Sequence, residues 1–252
     1  MTELAEDHVP TGCASLDRAL GGGLPRGEIT LFYGEAGTGK TSLAVQCAVL
    51  CCKRGGKALY VDSGGGFNVE RLVQTAADAL PLVTENLILF TPESFGQQIL
   101  LVETLDRYAT EKTTLLVFDT VTGHYRLELT GAQETFRSNR QLNRMIAYLK
   151  QLAVARRIAV LAISQVRTAL AHGTDQPKPI EPVAQRVLSH WSSLSIRLSS
   201  TPMAGVKEWT IEKAKAPGKA GLRSLVTVTA KGVSDFSAAT ASARSDRSSW
   251  QT

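Results

Sequence analysis

The chain has 252 residues, 43% of them hydrophobic, with a formal net charge of +5, a pI near 9.1 and a mean hydropathy of −0.03. That length and balance suit one α/β domain with a large core, and they exclude a membrane-spanning chain, because no apolar run reaches the ~18 residues a bilayer helix needs. Mild basicity is compatible with nucleic acid as a partner without establishing it.

The opening MTELAEDHVP is acidic and lacks the charged-then-apolar layout of a secretion signal, which predicts a cytoplasmic protein. Cys13, Cys47, Cys51 and Cys52 show neither C-x-x-C spacing nor a nearby histidine pair, so they read as reduced thiols, three of them packed on one helix. A strand predicted over 28–33 leads into GEAGTGKT at 34–41, and a helix follows over 40–53. This is the phosphate-cradling pattern G-x-x-x-x-G-K-[ST] in the strand-loop-helix setting it requires.

In that pattern Gly34 and Gly39 permit a tight turn. Backbone N–H groups through Glu35, Ala36, Gly37, Thr38, Lys40, Thr41 and Ser42 can then point at the β- and γ-phosphates, aided by the positive end of the helix. Lys40 adds a point charge, and the Thr41 hydroxyl is placed to ligate Mg²⁺. The expected ligand is a nucleotide with Mg²⁺.

Strands over 57–62, 86–90, 114–119 and 158–164 alternate with helices over 68–80, 94–110 and 134–156, the order of a mostly parallel sheet flanked by helices. TLLVFDT ends its strand in Asp119, which is assigned as the second Mg²⁺ anchor; the alternative is an aspartate that caps the following turn. In the helix at 134–156, Leu142, Met145, Ile146, Leu149, Leu152 and Ala153 mark an inner face. Arg137, Arg140, Arg144, Lys150, Arg156 and Arg157 fall in the same stretch with no acid among them, either as a solvated face or as a nucleic-acid contact.

TVTGHYRLELTGAQ at 120–133 and VRTALAHGTDQPKPIEP at 166–182 follow carboxyl ends of strands, where ligand sites of open α/β sheets lie. The second of these loops carries Arg167, His172 and Lys178. Beyond residue 190, WSSLSIRLSS, VKEWTIEKA and LRSLVTVTA predict three strands, read as antiparallel hairpins added to the parallel core. Lys213, Lys215, Lys219 and Arg223 between and beside them are candidate phosphate contacts. A single domain over 1–236 is expected, then a disordered tail over 237–252, which is small, polar and aperiodic.

Taken together these segments resemble the RecA-type ATPase core of the DNA recombinases over about residues 10–236. The likeness is carried by PTGCASLDRALGGGLPRGEIT, GEAGTGKT, YVDSGGGFNVERL, FDTVTGHYRLEL, ISQVR and EPVAQRVLSHWSSLSIRL, and YRLEL with SHWSSLSIRL narrows it to the RadB group of small archaeal paralogues. The resemblance implies a RecA-like P-loop fold that binds ATP at subunit interfaces, hence a homo-oligomer. It also implies two mobile DNA-contacting loops at 122–133 and 167–182, which hold Arg126, Arg167 and Lys178, and a γ-phosphate sensor, Gln165, that would share catalysis with Lys40. A role in DNA repair and homologous recombination follows, with the main recombinase or a Holliday-junction resolvase as protein partner. The helical DNA-binding domain and polymerisation linker of full-length recombinases are not found in the ten or so residues before the core, so autonomous strand exchange is not expected.

One departure bears on the chemistry. Where the family commonly reads D-T-E-G, this chain has Asp62, Ser63, Gly64 and Gly65, so the glutamate that orients the attacking water is replaced by Gly64. Such a base contributes about 10²- to 10⁴-fold, or roughly 3 to 5 kcal/mol of barrier, and hydrolysis is expected to be very weak or absent unless Asp62 substitutes. Two other readings stay open: an active RecA-like ATPase or kinase, and an interaction module whose nucleotide is structural.

Overall fold

Strands made almost wholly of aliphatic and aromatic residues need cover on both faces, and the apolar runs of this chain obtain it. In a computed structural model, described here for residues 7–168 and 180–237, they form the middle of a nine-stranded sheet between two helical layers. Lys178, His172 and the tail beyond Ser237 lie outside the described residues, as does the side chain of Arg167.

Two short strands, β1 (His8–Val9) and β2 (Leu24–Pro25), pair antiparallel around helix α1 (Ala14–Leu20). Then come β3 (Ile29–Tyr33), α2 (Lys40–Lys53), β4 (Lys57–Asp62), α3 (Val69–Ala76), α4 (Leu80–Asn86), β5 (Leu87–Phe90), α5 (Phe95–Thr104), β6 (Thr113–Asp119), α6 (Ala132–Arg156) and β7 (Ala159–Ser164). A two-stranded antiparallel pair, β8 (Val166–Thr168) with β9 (Ile180–Pro182), forms the base of the second loop. Helix α7 (Gln185–Trp191) precedes β10 (Leu194–Ser200), β11 (Val206–Ala214), β12 (Arg223–Thr229) and β13 (Gly232–Asp235).

The sheet order is β13-β12-β11-β10-β3-β7-β6-β4-β5. Pairs from β10 through β3, β7, β6 and β4 to β5 are parallel, and those from β10 to β13 are antiparallel. The expected meander is therefore present, but its first strand runs parallel to β3. Helix α7, at seven residues too short to show a period, returns the chain so that β10 enters in that sense.

Period-two alternation divides the core. Phe32, Tyr60, Val117 and Leu161 pack beneath α1 and α2, while Leu31, Leu59, Phe118 and Val160 pack beneath α5 and α6. On α6 the buried residues are those expected from the spacing, Leu142, Met145, Ile146, Leu149, Leu152 and Ala153, with Ser138 a turn earlier.

Two predicted helices are interrupted. The 68–80 helix stops at Ala76; Ala77 takes φ 49, a 3-10 turn follows, and α4 begins at Leu80. Pro81 explains the break, since a proline inside a continuous helix clashes with the carbonyl four residues earlier, that of Ala77. The 94–110 helix ends at Thr104, whose hydroxyl bonds back to the carbonyls of Leu100 at 3.2 Å and Leu101 at 3.0 Å before a 3-10 turn at Leu105–Arg107.

All four cysteines are free and buried. Burial pushes the Cys13 thiol up to about 11 and the Cys52 thiol up to about 12, as befits packing residues. Among the described residues no helix is long and apolar enough to cross a membrane.

Candidate functional site

Strand β3 delivers the chain to Gly34 at the carboxyl end of the sheet. A side chain there would run into the Leu198 carbonyl of β10, and Gly39, the N-cap of α2, holds φ 93. Both positions therefore require glycine. Thr38 Oγ1 donates to the Glu35 carbonyl at 2.9 Å and tightens the loop. Lys40 is buried, and its Nζ donates to the carbonyls of Gly34 at 2.8 Å and Glu35 at 2.6 Å. Burial lowers its pKa, while Asp119 and Glu35 act against the shift. An ammonium held by carbonyls, next to the unpaired first N–H groups of a helix, is an arrangement able to receive an anion.

Helix α2 lies over the face of the sheet that carries Tyr60, Val117 and, two residues on, Asp119. Thr41 Oγ1 donates to Asp119 Oδ2 at 2.6 Å, and the Tyr60 hydroxyl donates to the same oxygen at 3.1 Å. Burial raises the Asp119 carboxyl, and these two hydrogen bonds oppose the rise. A hydroxyl and a carboxylate in contact are hard oxygen donors of the kind Mg²⁺ takes, usually with phosphates and water completing its shell. Among the described residues no group of three His, Cys, Asp or Glu could hold a metal by itself, so this pair fits an ion that arrives with a phosphate ligand.

A cleft of about 680 Å³ opens over the loop, and its outer walls are Gly64, Gly66, Arg71, Gln165 and Val228. Asp62 shapes the glycine wall: its Oδ1 accepts from the N–H groups of Gly64 at 3.2 Å and Gly66 at 3.1 Å, and its Oδ2 from Phe67 N–H at 2.9 Å. Both oxygens are thus engaged by the loop backbone. Across the cleft, Gln165 Oε1 accepts from Arg126 Nη1 at 2.6 Å. Arg126 stands on a 3-10 turn, His124–Glu128, inside the first loop, and the neighbouring Tyr125 hydroxyl reaches Asn139 Oδ1 of α6 at 2.9 Å.

The family model described as Rad51 matches residues 6–236. The chain belongs to the Rad51 family. Its relatives include the DNA repair and recombination protein RadB of Thermococcus gammatolerans, 36% identical over 232 residues that make up 90% of this chain and 98% of the relative. The protein of the same name from Methanococcoides burtonii is 32% identical over 196 residues, 78% of this chain and 84% of the relative. A crystal structure of the RadB recombinase aligns with a TM-score of 0.76 at 31% identity, over 91% of this chain and 100% of that one.

In this Rad51-family chain Gly34, Ala36, Gly37, Gly39, Lys40, Thr41, Ser42, Asp119 and Gln165, each a candidate from the sequence, line one cleft. The basic residues are dispersed instead. Arg126, Arg137 and Arg140 are exposed near the carboxyl end of the sheet, and among the described residues neither Arg137 nor Arg140 makes an ion pair. Arg144 pairs with Glu103 at 3.2 Å, Lys150 with Glu28 at 2.6 Å and Arg156 with Asp106 at 2.9 Å. Lys213 Nζ donates to the carbonyls of Ser189 and Ser192, and Lys215 pairs with Glu28 at 2.7 Å. These last groups sit at the amino end of β3, the opposite end of the sheet from the loop at 34–41.

Three residues in or just beneath the cleft escaped sequence reasoning. Arg71 Nη1 reaches Ser42 Oγ at 2.7 Å, Val228 of β12 stands beside Gly39, and Tyr60 reaches Asp119. Position on the first turn of α3 beside a glycine-rich turn could have flagged Arg71; no local pattern marks the other two.

Proposed function

We propose that this Rad51-family protein is an ATP- and DNA-binding accessory factor of DNA repair and homologous recombination, with very weak or absent hydrolysis and no strand exchange of its own. The process is supported by relatives that bear the name DNA repair and recombination protein. The observation that carries the reading is the bare wall at Gly64. The cleft has an ammonium and a hydroxyl-carboxylate pair, but among the described residues no carboxylate free to aim a water, because Asp62 is engaged by the glycine loop.

In this reading Lys40 exchanges its loop carbonyls for the β- and γ-phosphates, and the first N–H groups of α2 complete the cradle. Thr41 and Asp119 would hold Mg²⁺, which neutralises phosphate charge when bound. Gln165 keeps its oxygen on Arg126 and has its amide NH₂ to offer the terminal phosphate, so the triphosphate biases the first loop as a conformational ligand. Arg126, Arg137 and Arg140 would meet DNA phosphates without reading sequence. Contact with the main recombinase or a Holliday-junction resolvase, and assembly with further copies of the chain, belong to the same reading.

Calorimetry and turnover with ATP and Mg²⁺, each with and without single-stranded DNA, test it. Saturable ATP binding, salt-sensitive DNA binding and turnover far below a median enzyme's ~10 s⁻¹ are expected. Turnover near that median would favour an active ATPase or kinase. A Lys40→Ala protein that loses stability yet keeps DNA and partner binding would favour a structural nucleotide. No saturable heat with ATP would end the proposal.

A further inference from the structure

We infer that Tyr60 is the positioning residue that sets this site's grip on Mg²⁺, by holding the Asp119 carboxylate through its phenol hydroxyl; the inference rests on the nucleotide site proposed above. Tyr60 is fully buried in mid-β4, in a cluster with Ala58, Val117, Leu43, Ala44 and Cys47. A hole of that kind would accept phenylalanine as readily as tyrosine, so the hydroxyl is the only part of the side chain that packing does not explain. A buried phenol must find an acceptor, and this one takes Asp119 Oδ2 at 3.1 Å.

The same oxygen receives Thr41 at 2.6 Å, and among the described residues these are the side-chain hydrogen bonds that reach Asp119. They are not equivalent. Thr41 rides on the helix that follows the phosphate loop and is itself a proposed ligand of the ion. Tyr60 belongs to the sheet and stands outside the ion's own coordination, so it holds the carboxylate whether or not nucleotide is present. Its ring is braced edge-to-face by Phe67, centroids 4.9 Å apart at 70°, and Phe67 N–H is fixed by Asp62 at 2.9 Å. The glycine wall and the metal carboxylate are thereby joined through one phenol. Partners of this outer kind typically govern metal affinity 10- to 100-fold, by orienting a ligand that would otherwise rotate.

The test is the Mg²⁺ dependence of binding a fluorescent ATP analogue, measured by titrating Mg²⁺ and repeated in chelator, for wild type, Tyr60→Phe and Phe67→Leu. Tyr60→Phe should raise the Mg²⁺ needed for half-maximal binding by about 10-fold or more and leave affinity in chelator unchanged. Phe67→Leu, which keeps the hydroxyl and leaves an apolar side chain against the ring, should shift that requirement by clearly less than Tyr60→Phe does. Identical Mg²⁺ curves for wild type and Tyr60→Phe overturn the inference. So does an equal loss with and without Mg²⁺, or a Phe67→Leu shift as large as that of Tyr60→Phe, because either marks packing as the cause. If wild type binds no analogue at any Mg²⁺ level, the proposed nucleotide site itself is wrong and the inference falls with it.

Discussion

Gln46 and Val233 exchange two hydrogen bonds through the interior: Val233 N–H donates to Gln46 Oε1 at 2.6 Å, and Gln46 Nε2 donates to the Val233 carbonyl at 2.9 Å. The same amide nitrogen reaches the Thr11 carbonyl at 2.8 Å. One side chain on α2 thus ties the edge strand β13 and the segment before α1 to the helix that follows the loop at 34–41. Val228, on the adjoining strand β12, lines the cleft beside Gly39. The attachment of the C-terminal hairpin and the cleft wall are one mechanical unit.

Gln46→Leu should therefore cost about 2 to 4 kcal/mol of stability, since it leaves buried backbone groups of Thr11 and Val233 without partners. Urea unfolding measures this. Nucleotide affinity should fall as well, because the hairpin that carries Val228 loses its anchor. A midpoint equal to wild type would mean that water or a shift of the hairpin satisfies those groups at no cost.

Gly64→Glu should raise ATP turnover by about 10²- to 10⁴-fold, the usual contribution of a water-orienting base. The substitution is sterically open: a Cβ at Gly64 would meet Thr120 at 3.7 Å, ordinary contact, and Gly64 is not among the positive-φ glycines. Phosphate release under single-turnover and steady-state conditions reads the change. Unchanged turnover with ATP still bound would place the defect elsewhere in the cleft.

Removing Arg137 and Arg140 together should lower the salt slope of single-stranded DNA binding by about 1.4, at roughly 0.7 for each phosphate no longer neutralised. Neither guanidinium is committed to an acid among the described residues, and Arg140 lies 5.9 Å from the Phe136 ring centre. Lys213→Ala should instead appear as a loss of stability of about 1 kcal/mol, because its ammonium serves the carbonyls that end α7. A slope that responds to Lys213 and not to the arginines would move the DNA path to the other end of the sheet.

Asp235 makes a prediction about acid. Burial acts to raise its carboxyl, but hydrogen bonds from the Cys13 thiol and from the Ser15 hydroxyl and N–H outweigh it and hold the group below its ordinary 3.8. A carboxylate depressed by folding adds stability above its unfolded value and loses it as pH falls through the folded one. Asp235→Asn should therefore differ most from wild type above about pH 4, with the gap closing as acid protonates the native carboxylate. Thermal melts from pH 7 to pH 3 show it; a gap that stays constant with pH would assign the effect to shape and not to charge.

Much of the site was readable in the chain because its parts are local. The glycines of 34–39 are dictated by backbone shape, the Asp119 position by strand alternation, and the buried stripe of α6 by helical spacing. The basic stretch of α6 was less informative, since spacing places Arg137 through Arg156 on the same helix but does not say which acids other elements bring to it. Glu103, Asp106 and Glu28 neutralise Arg144, Arg156 and Lys150 from α5, the turn after it and the approach to β3.

The amino-acid order alone determined that this chain has a glycine-rich G-x-x-x-x-G-K-T loop between strand and helix, a buried aspartate to follow it and no glutamate at position 64, for each is a matter of neighbours along the backbone. Only the tertiary structure decided that Tyr60 would hold Asp119, that Arg126 would hold Gln165 and that Gln46 would clasp Val233. Those partners stand 59, 39 and 187 residues apart, and the order in which strands enter the sheet, with the helices that return them, is what brings each pair within a hydrogen bond.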